Sequence, residues 1–129
     1  MWFDVVTIVI TLLFVGFVFK KILPARGVEQ ITVDELRPFL KDENVQLIDV
    51  RPAAKYHEFH VYGFKNIPLK EIRKAAKTLD KDKKTILICQ TGALGNEASK
   101  RLKNRGFTHL ANVRGGLSTW DPAHIDRTK

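Results

Sequence analysis

The 129-residue sequence contains few sulfur-containing residues and few aromatic residues other than phenylalanine: one Cys, one Met, two Trp and two Tyr. A single cysteine excludes an intramolecular disulfide framework, a Cys-x-x-Cys redox pair and a cysteine-rich zinc site. It is typical of a reducing compartment, where a lone thiol persists. Acidic residues number 14 against 22 Lys and Arg, and the formal net charge of +8 favours anionic surfaces without identifying one. The length leaves no room for two domains of ordinary size.

Charge is absent from residues 5–19, a run broken only by two Thr and one Gly. Extended to residues 2–23, the segment would form a helix of roughly 33 Å, which suffices for a hydrocarbon core of ~30 Å. Asp4 precedes the run, and Lys20 and Lys21 follow it. Residues 1–23 are therefore predicted to form one transmembrane helix. Because positive charge favours the cytoplasmic side, the N-terminus is predicted outside and the remaining chain in the cytoplasm.

Three alternatives explain the apolar segment less well. A cleaved signal peptide normally begins with positive charge, whereas here the lysines follow the apolar run. A buried core helix or an interfacial helix normally has a polar face, and this run is apolar all round.

The rest of the chain alternates between strand and helix patterns, which indicates an α/β fold with a mainly parallel sheet. Residues 24–29 are predicted to be a linker and residues 30–129 one domain. Thr32 and Glu35 form a capping box that opens a short helix. Helices are predicted over residues 70–79 and 96–105. Strands are predicted over residues 45–50, 85–88 and 108–113, with a short one near residues 65–67, whereas residues 51–69 otherwise look irregular.

Cys89 directly follows the strand predicted at residues 85–88 and precedes a glycine-containing loop and a helix. Ligands of parallel sheets collect at the carboxyl ends of the strands. Loop amides and the helix N-terminus at this corner favour an anionic sulfur, which is the form that acts as a nucleophile. Gly92 and Gly95 permit a tight backbone cradle. Position alone is equally compatible with a small buried residue at a strand end.

Several other chemistries are disfavoured by the residues around this cysteine. The four histidines are dispersed and no carboxylate cluster accompanies the thiol, so no metal site is predicted. A phosphatase-type loop requires Arg six residues after the cysteine, where this chain has Gly95. Nucleic-acid binding is disfavoured because the basic residues lack interleaved aromatic residues and a reader motif.

Four segments in order resemble the successive signatures of the rhodanese-like domain family. They are LIDVR at 47–51, YHEFHVYGFKNIPL at 56–69, the strand–Cys–loop–helix at 85–105 and VRGGLSTW at 113–120. A membrane helix followed by one such domain resembles small membrane-associated bacterial rhodaneses. The resemblance implies a five-stranded parallel sheet flanked by helices. It also implies sulfur transfer through a cysteine persulfide, without any other cofactor.

The resemblance also implies roles for individual residues. Cys89 matches the catalytic cysteine, and the loop that cradles its persulfide corresponds to Gln90, Thr91, Gly92, Ala93, Leu94 and Gly95. Arg51 and Glu58 match positions that form a structural ion pair in the family. Trp120 matches a turn beside the pocket, where it either lines the pocket or packs in the core.

Leu94 departs from the family pattern, because active members usually carry Cys-x-x-Gly-x-Arg. Because Leu94 replaces a charged hydrogen-bond donor, the protein is expected to use thiosulfate less well. Arg114 or the basic residues Lys100, Arg101, Lys103 and Arg105 could compensate for the missing positive charge. The predicted function is a membrane-anchored sulfurtransferase with a small sulfur donor and a thiol or cyanide acceptor. The alternative is a catalytically weak or inactive rhodanese-like binding or sensing module at the membrane. No protein partner follows from the sequence.

Overall fold

The computed structural model describes residues 1–22 and 26–120. Helix α1 spans Trp2–Ile22. Among the described residues it is the one helix that is long and apolar enough to cross a membrane. None of its apolar stretch, Trp2–Lys20, is buried against the rest of the protein. The predicted domain limits at residues 23, 24 and 129 lie outside the described residues.

Five parallel strands form one sheet in the order β1-β5-β4-β2-β3. The strands are β1 (Val28–Ile31), β2 (Val45–Asp49), β3 (Lys65–Asn66), β4 (Lys84–Ile88) and β5 (Leu110–Val113). The five-stranded parallel sheet that the resemblance implied is thus confirmed. The predicted linker is wrong at its end, because Val28 and Glu29 already belong to β1 and pair with β5.

Short helices connect the strands, and only α5 exceeds two turns. The α-helices of the domain are α2 (Val33–Leu36), α3 (Ala53–Glu58), α4 (Ile72–Ala75) and α5 (Ala93–Lys103). Three 3₁₀ turns accompany them at Arg37–Phe39, Leu69–Glu71 and Gly116–Thr119. The capping box of Thr32 and Glu35 is present at the start of α2. Helix α3 was missed in the segment predicted to be irregular, and the helix predicted at 70–79 is shorter.

The core has two apolar clusters, one on each face of the sheet. One contains Cys89 and Val50 together with Ile72 of α4 and Leu102 of α5. The other contains Ile88 together with Leu36 of α2, Leu40 after the first 3₁₀ turn, and Leu117 and Trp120 of the segment after β5. Side chains alternate along a strand, so Ile88 and Cys89 enter opposite layers. This places the cysteine in the layer of α4 and α5.

Candidate functional site

Cys89 lies immediately after the central strand β4, at the carboxyl edge of the sheet. The residue is 1% exposed and its thiol is free. Strand β4 lies between β5 and β2, so the chain leaving each of these strands passes beside the cysteine. Helix α5 begins four residues later. The predicted strand–loop–helix corner is therefore present.

Two backbone amides of the segment after Cys89 point at the sulfur, one at the end of the loop and one in the first turn of α5. The N–H of Gly92 donates to Cys89 Sγ at 3.0 Å, and that of Gly95 donates at 3.4 Å. Gly92 has φ 97° at the N-cap of α5, in the left-handed region that glycine adopts without strain. The side chains of Gln90, Thr91, Ala93 and Leu94 are exposed. The loop thus offers its backbone to the sulfur and its side chains to solvent, an arrangement that stabilises a charged sulfur by fixed dipoles.

The turn after β5 fixes the loop from the other side. Leu117 N–H donates to the Cys89 carbonyl and Ser118 N–H to the Gln90 carbonyl, both at 2.9 Å. Gly116 has φ 56°, and a Cβ there would lie 2.1 Å from the Cys89 carbonyl oxygen. The two-glycine turn is therefore as close to the cysteine backbone as glycine allows.

Asn112 of β5 contacts the loop after Cys89 and helps to hold it in place, a role that was not predicted from the sequence. Its fully buried side chain donates from Nδ2 to the Gly92 carbonyl at 3.2 Å and to Asn96 Oδ1 at 3.0 Å. Its Oδ1 lies against Gly95, where a Cβ would approach to 1.9 Å. Asn112 thereby contacts both residues whose amides reach the sulfur. A polar residue in the last predicted strand was the available signal.

The expected ion pair of Arg51 with Glu58 is wrong. Arg51 instead forms a buried pair with Asp49, with Nη2–Oδ2 at 2.8 Å and Nε within 3.1 Å of both carboxylate oxygens. Glu58 is an exposed partner of Lys55 at 3.8 Å. Arg51 also donates to the Phe59 carbonyl at 2.8 Å, so the pair ties the end of β2 to the end of α3. Asp49 is the nearer carboxylate because the chain turns directly after β2.

Trp120 packs in the apolar cluster on the opposite face of the sheet from Cys89, with the Arg37 guanidinium 5.8 Å from its ring centroid. Trp120 therefore packs in the core and does not line the pocket beside Cys89, the other position expected for it. Arg114 is exposed and lines a different surface depression with Arg37 and Thr119. Among the basic residues of α5, Arg101 donates to the Leu69 carbonyl at 3.2 Å.

A cleft of about 440 Å³ lies beside the Cys89 loop. Leu94 of the loop and Val50, which follows β2, form part of its lining. Val50 N–H donates to the carbonyl of Ile88, the residue before Cys89, at 3.0 Å. The other lining residues come from the start of α3 and the turn before α4: Pro52, Ala53, Pro68, Leu69, Lys70 and Glu71. Within the described residues, no group of three or more His, Cys, Asp or Glu could hold a metal ion.

Burial raises the pKa of Tyr56 above its ordinary value of 10.0, and the nearby Asp49 carboxylate raises it further against the opposing effect of Arg51. The Tyr56 hydroxyl donates to the Phe64 carbonyl, and its ring stacks on His60 with centroids 3.8 Å apart. Tyr56 thus connects α3 to the segment before β3, close to the Asp49–Arg51 pair.

Comparisons with known proteins agree with this geometry. The thiosulfate sulfurtransferase PspE of Escherichia coli is 39% identical over 72 residues, which cover 54% of this chain and 68% of PspE. YrkF of Bacillus subtilis is 29% identical over 97 residues, and the match spans 74% of this chain but only 52% of YrkF. A rhodanese-related protein from Thermoplasma volcanium has a similar structure, with a TM-score of 0.68 and 26% identity over 78% of this chain and 97% of that one.

The family profile described as "Rhodanese-like domain" matches residues 32–123. This stretch includes Cys89, its loop and the two-glycine turn, and the sheet has the fold of the solved rhodanese-like structures. Relatives named as sulfurtransferases support sulfur transfer as the chemistry at the level of the family. The chain belongs to the rhodanese-like domain family.

Proposed function

We propose that this chain is a sulfurtransferase that carries sulfane sulfur as a persulfide on Cys89. The observation that carries the proposal is the pair of amide donors, Gly92 and Gly95, on the cysteine sulfur. The same donors stabilise the thiolate and the bound sulfur, since both carry negative charge near the loop. The persulfide is a covalent intermediate, and the proposed reaction uses no other cofactor.

Sulfur enters and leaves by two nucleophilic displacements. The Cys89 thiolate attacks the outer sulfur of a donor such as thiosulfate. The donor's S–S bond breaks, and its electron pair leaves with sulfite. A thiolate or cyanide acceptor then attacks the outer sulfur of the persulfide. The bond to Sγ breaks, and the electron pair returns to Cys89 as the thiolate.

Mass spectrometry of the full-length protein in detergent tests this proposal. After treatment with polysulfide or thiosulfate, we expect a mass increase of one sulfur atom located at Cys89, which cyanide removes. Cys89→Ser should show no such increase. Absence of the adduct, or its equal formation in Cys89→Ser, would refute sulfur transfer.

A second candidate function is a rhodanese-like binding or sensing module with little catalysis, which the presence of Leu94 in the loop favours. Such a module would bind a membrane protein equally well as wild type and as Cys89→Ala. Capture of the same partner by both proteins, together with no sulfur loading, would support this second function. Partner capture that depends on Cys89 would contradict it.

We propose further that α1 anchors the domain to the cell membrane in a single pass, with the N-terminus outside and the domain in the cytoplasm. The length and apolar surface of α1 and the lysines at its end support this topology. Protease added to intact cells should spare the domain and digest it after lysis. Digestion in intact cells would contradict the cytoplasmic placement, and a soluble shortened product would indicate a cleaved signal peptide.

A further inference from the structure

The cleft beside the Cys89 loop has walls that are mainly hydrocarbon. Leu94, 38% exposed, lines the cleft together with Val50, which belongs to the buried cluster of Cys89. Pro52, Ala53, Pro68 and Leu69 contribute further apolar surface. A volume of about 440 Å³ is that of a site for a small organic molecule.

Hydrogen bonds connect part of the cleft lining to the strand that ends just before Cys89. Val50 is tied to β4 one residue before Cys89. Leu69 N–H donates to the Val50 carbonyl at 3.1 Å, and Arg101 holds the Leu69 carbonyl at 3.2 Å. Leu94, which also lines the cleft, lies between Gly92 and Gly95, whose amides contact Sγ. A molecule in the cleft therefore contacts two segments that are hydrogen-bonded to Cys89 or to the residue before it.

Charge on the lining gives an anion little advantage. The charged residues of the lining are Lys70 and Glu71, adjacent and of opposite sign. Arg101 is directed to a backbone carbonyl and Arg114 lines a separate depression. An apolar body gains by leaving water here, whereas a small dianion loses hydration without a net positive charge in return.

We propose that this cleft binds the apolar carbon body of an organic thiol, which is the sulfur acceptor of Cys89. The inference rests on the proposed function and names its acceptor class. The thiolate of the bound molecule attacks the outer sulfur of the Cys89 persulfide. A new S–S bond forms on the acceptor, the bond to Sγ breaks, and its electron pair returns to the Cys89 thiolate.

A homologous series of straight-chain alkyl thiols tests this proposal on the full-length protein preloaded with polysulfide. Each methylene buried in an apolar site favours binding, so kcat/KM for transfer should rise about threefold to fourfold per added carbon until the cleft is filled. A flat series would overturn the proposal. So would preference for a short thiol carrying a sulfonate over the alkyl thiol of equal length.

Ala53 and Ala54 provide a matched pair of variants. Both stand in the first turn of α3, where a carboxylate is tolerated, and both are exposed, but only Ala53 lines the cleft. Ala53→Asp should remove most of the dependence on chain length, and Ala54→Asp should keep it. Equal slopes in the two variants would place the alkyl chain elsewhere and overturn the assignment of this cleft.

Loading of Cys89 is measured separately by mass spectrometry, so the two proposals fail in different ways. No loading by polysulfide would refute sulfur transfer itself. Normal loading with a flat alkyl series would refute only the apolar acceptor.

Discussion

Gly95 and the side chain of Asn112 pack tightly against each other beside Cys89. The nearest atom to a Cβ at Gly95 would be Asn112 Oδ1, at 1.9 Å, and Gly95 donates its amide to Sγ. We expect Gly95→Ala to lower the free energy of unfolding by about 1–3 kcal/mol through overpacking. It should also slow sulfur loading, because the amide of residue 95 must move.

Shortening Asn112 tests whether this contact is the cause. In an Asn112→Ala background, the cost of Gly95→Ala should be smaller, since the opposing oxygen is gone. Urea denaturation of wild type, both single variants and the double variant measures this coupling. Additive losses within about 0.5 kcal/mol would contradict a direct clash.

The Asp49–Arg51 pair gives a second residue-scale prediction. Both side chains are buried, so Asp49→Ala leaves a guanidinium without its partner and should cost about 3–5 kcal/mol of unfolding free energy. Glu58→Ala, which removes an exposed partner of Lys55, should cost less than about 1 kcal/mol. Denaturant titration measures both losses. Similar losses for the two variants would favour Glu58 as the structural partner of Arg51, as the family resemblance implied.

The sequence predicted the candidate nucleophile, Cys89, but not all of the residues that contact it and its loop. Cys89, Gly92 and the two-glycine turn could be found because a strand end followed by glycines is a local pattern. Asn112 could not be ranked as support, because its importance depends on which strands are neighbours. Asn112 reaches the loop only because β5 lies beside β4. A single sequence does not contain the strand order.

At the scale of elements, Tyr56 links α3 to the segment before β3 and makes a prediction about pH. Its hydroxyl donates to the Phe64 carbonyl, and burial raises its pKa above 10.0. The folded state therefore holds the phenolic proton more tightly than the unfolded chain. This contribution to stability is fully present below pH 10 and is lost as the pH rises through the higher folded pKa.

Tyr56→Phe should lower stability at neutral pH by about 0.5–1.5 kcal/mol through loss of the hydrogen bond. It should also reduce the decline of stability in alkaline solution. Tyr62→Phe is the matched control, because Tyr62 is 50% exposed. Chemical denaturation between neutral and alkaline pH compares the three proteins, and an unchanged alkaline decline in Tyr56→Phe would contradict the assigned cause.

Elements with a complete local signal were predicted, and those held by their neighbours were not. The capping box of Thr32 and Glu35 is satisfied within one turn, so α2 was placed correctly. Strand β1 was missed because Val28–Ile31 is four residues long and only its two ends are buried. It is an edge strand that pairs with β5 from a distant part of the sequence. Helix α3 has no buried residue and thus no apolar stripe to reveal it.

At the scale of the whole molecule, the point where the chain enters the domain from α1 and Cys89 lie at opposite edges of the sheet. Residues 23–25 separate the end of α1 from Arg26, and four peptide units reach at most about 15 Å. Lys103 Nζ donates to the Arg26 carbonyl, so the end of α5 lies beside this entry point. Val28 pairs with Leu110, and Leu110 pairs with Thr85, so all three lie at the edge of the sheet where the parallel strands begin, the amino edge. Cys89 lies four residues farther along, about 13 Å away.

If α1 anchors the chain, the amino edge faces the bilayer and the Cys89 loop faces away from it. We expect a fluorophore on Lys103→Cys to be quenched strongly by lipids labelled at the headgroup. One on Gln90→Cys should be quenched weakly. Both variants carry Cys89→Ser and are measured as full-length chains in vesicles, with unlabelled lipids as the control.

Equal quenching at the two positions would mean that the domain lies on its side, as the basic residues of α4 and α5 would permit on anionic lipid. Stronger quenching at position 90 would place the loop against the membrane. Strong quenching at 103 alone would require sulfur donors and acceptors to reach Cys89 from the water phase. The alkyl thiol acceptor would then enter from solution and not from the bilayer, because the cleft opens beside the loop at the far edge.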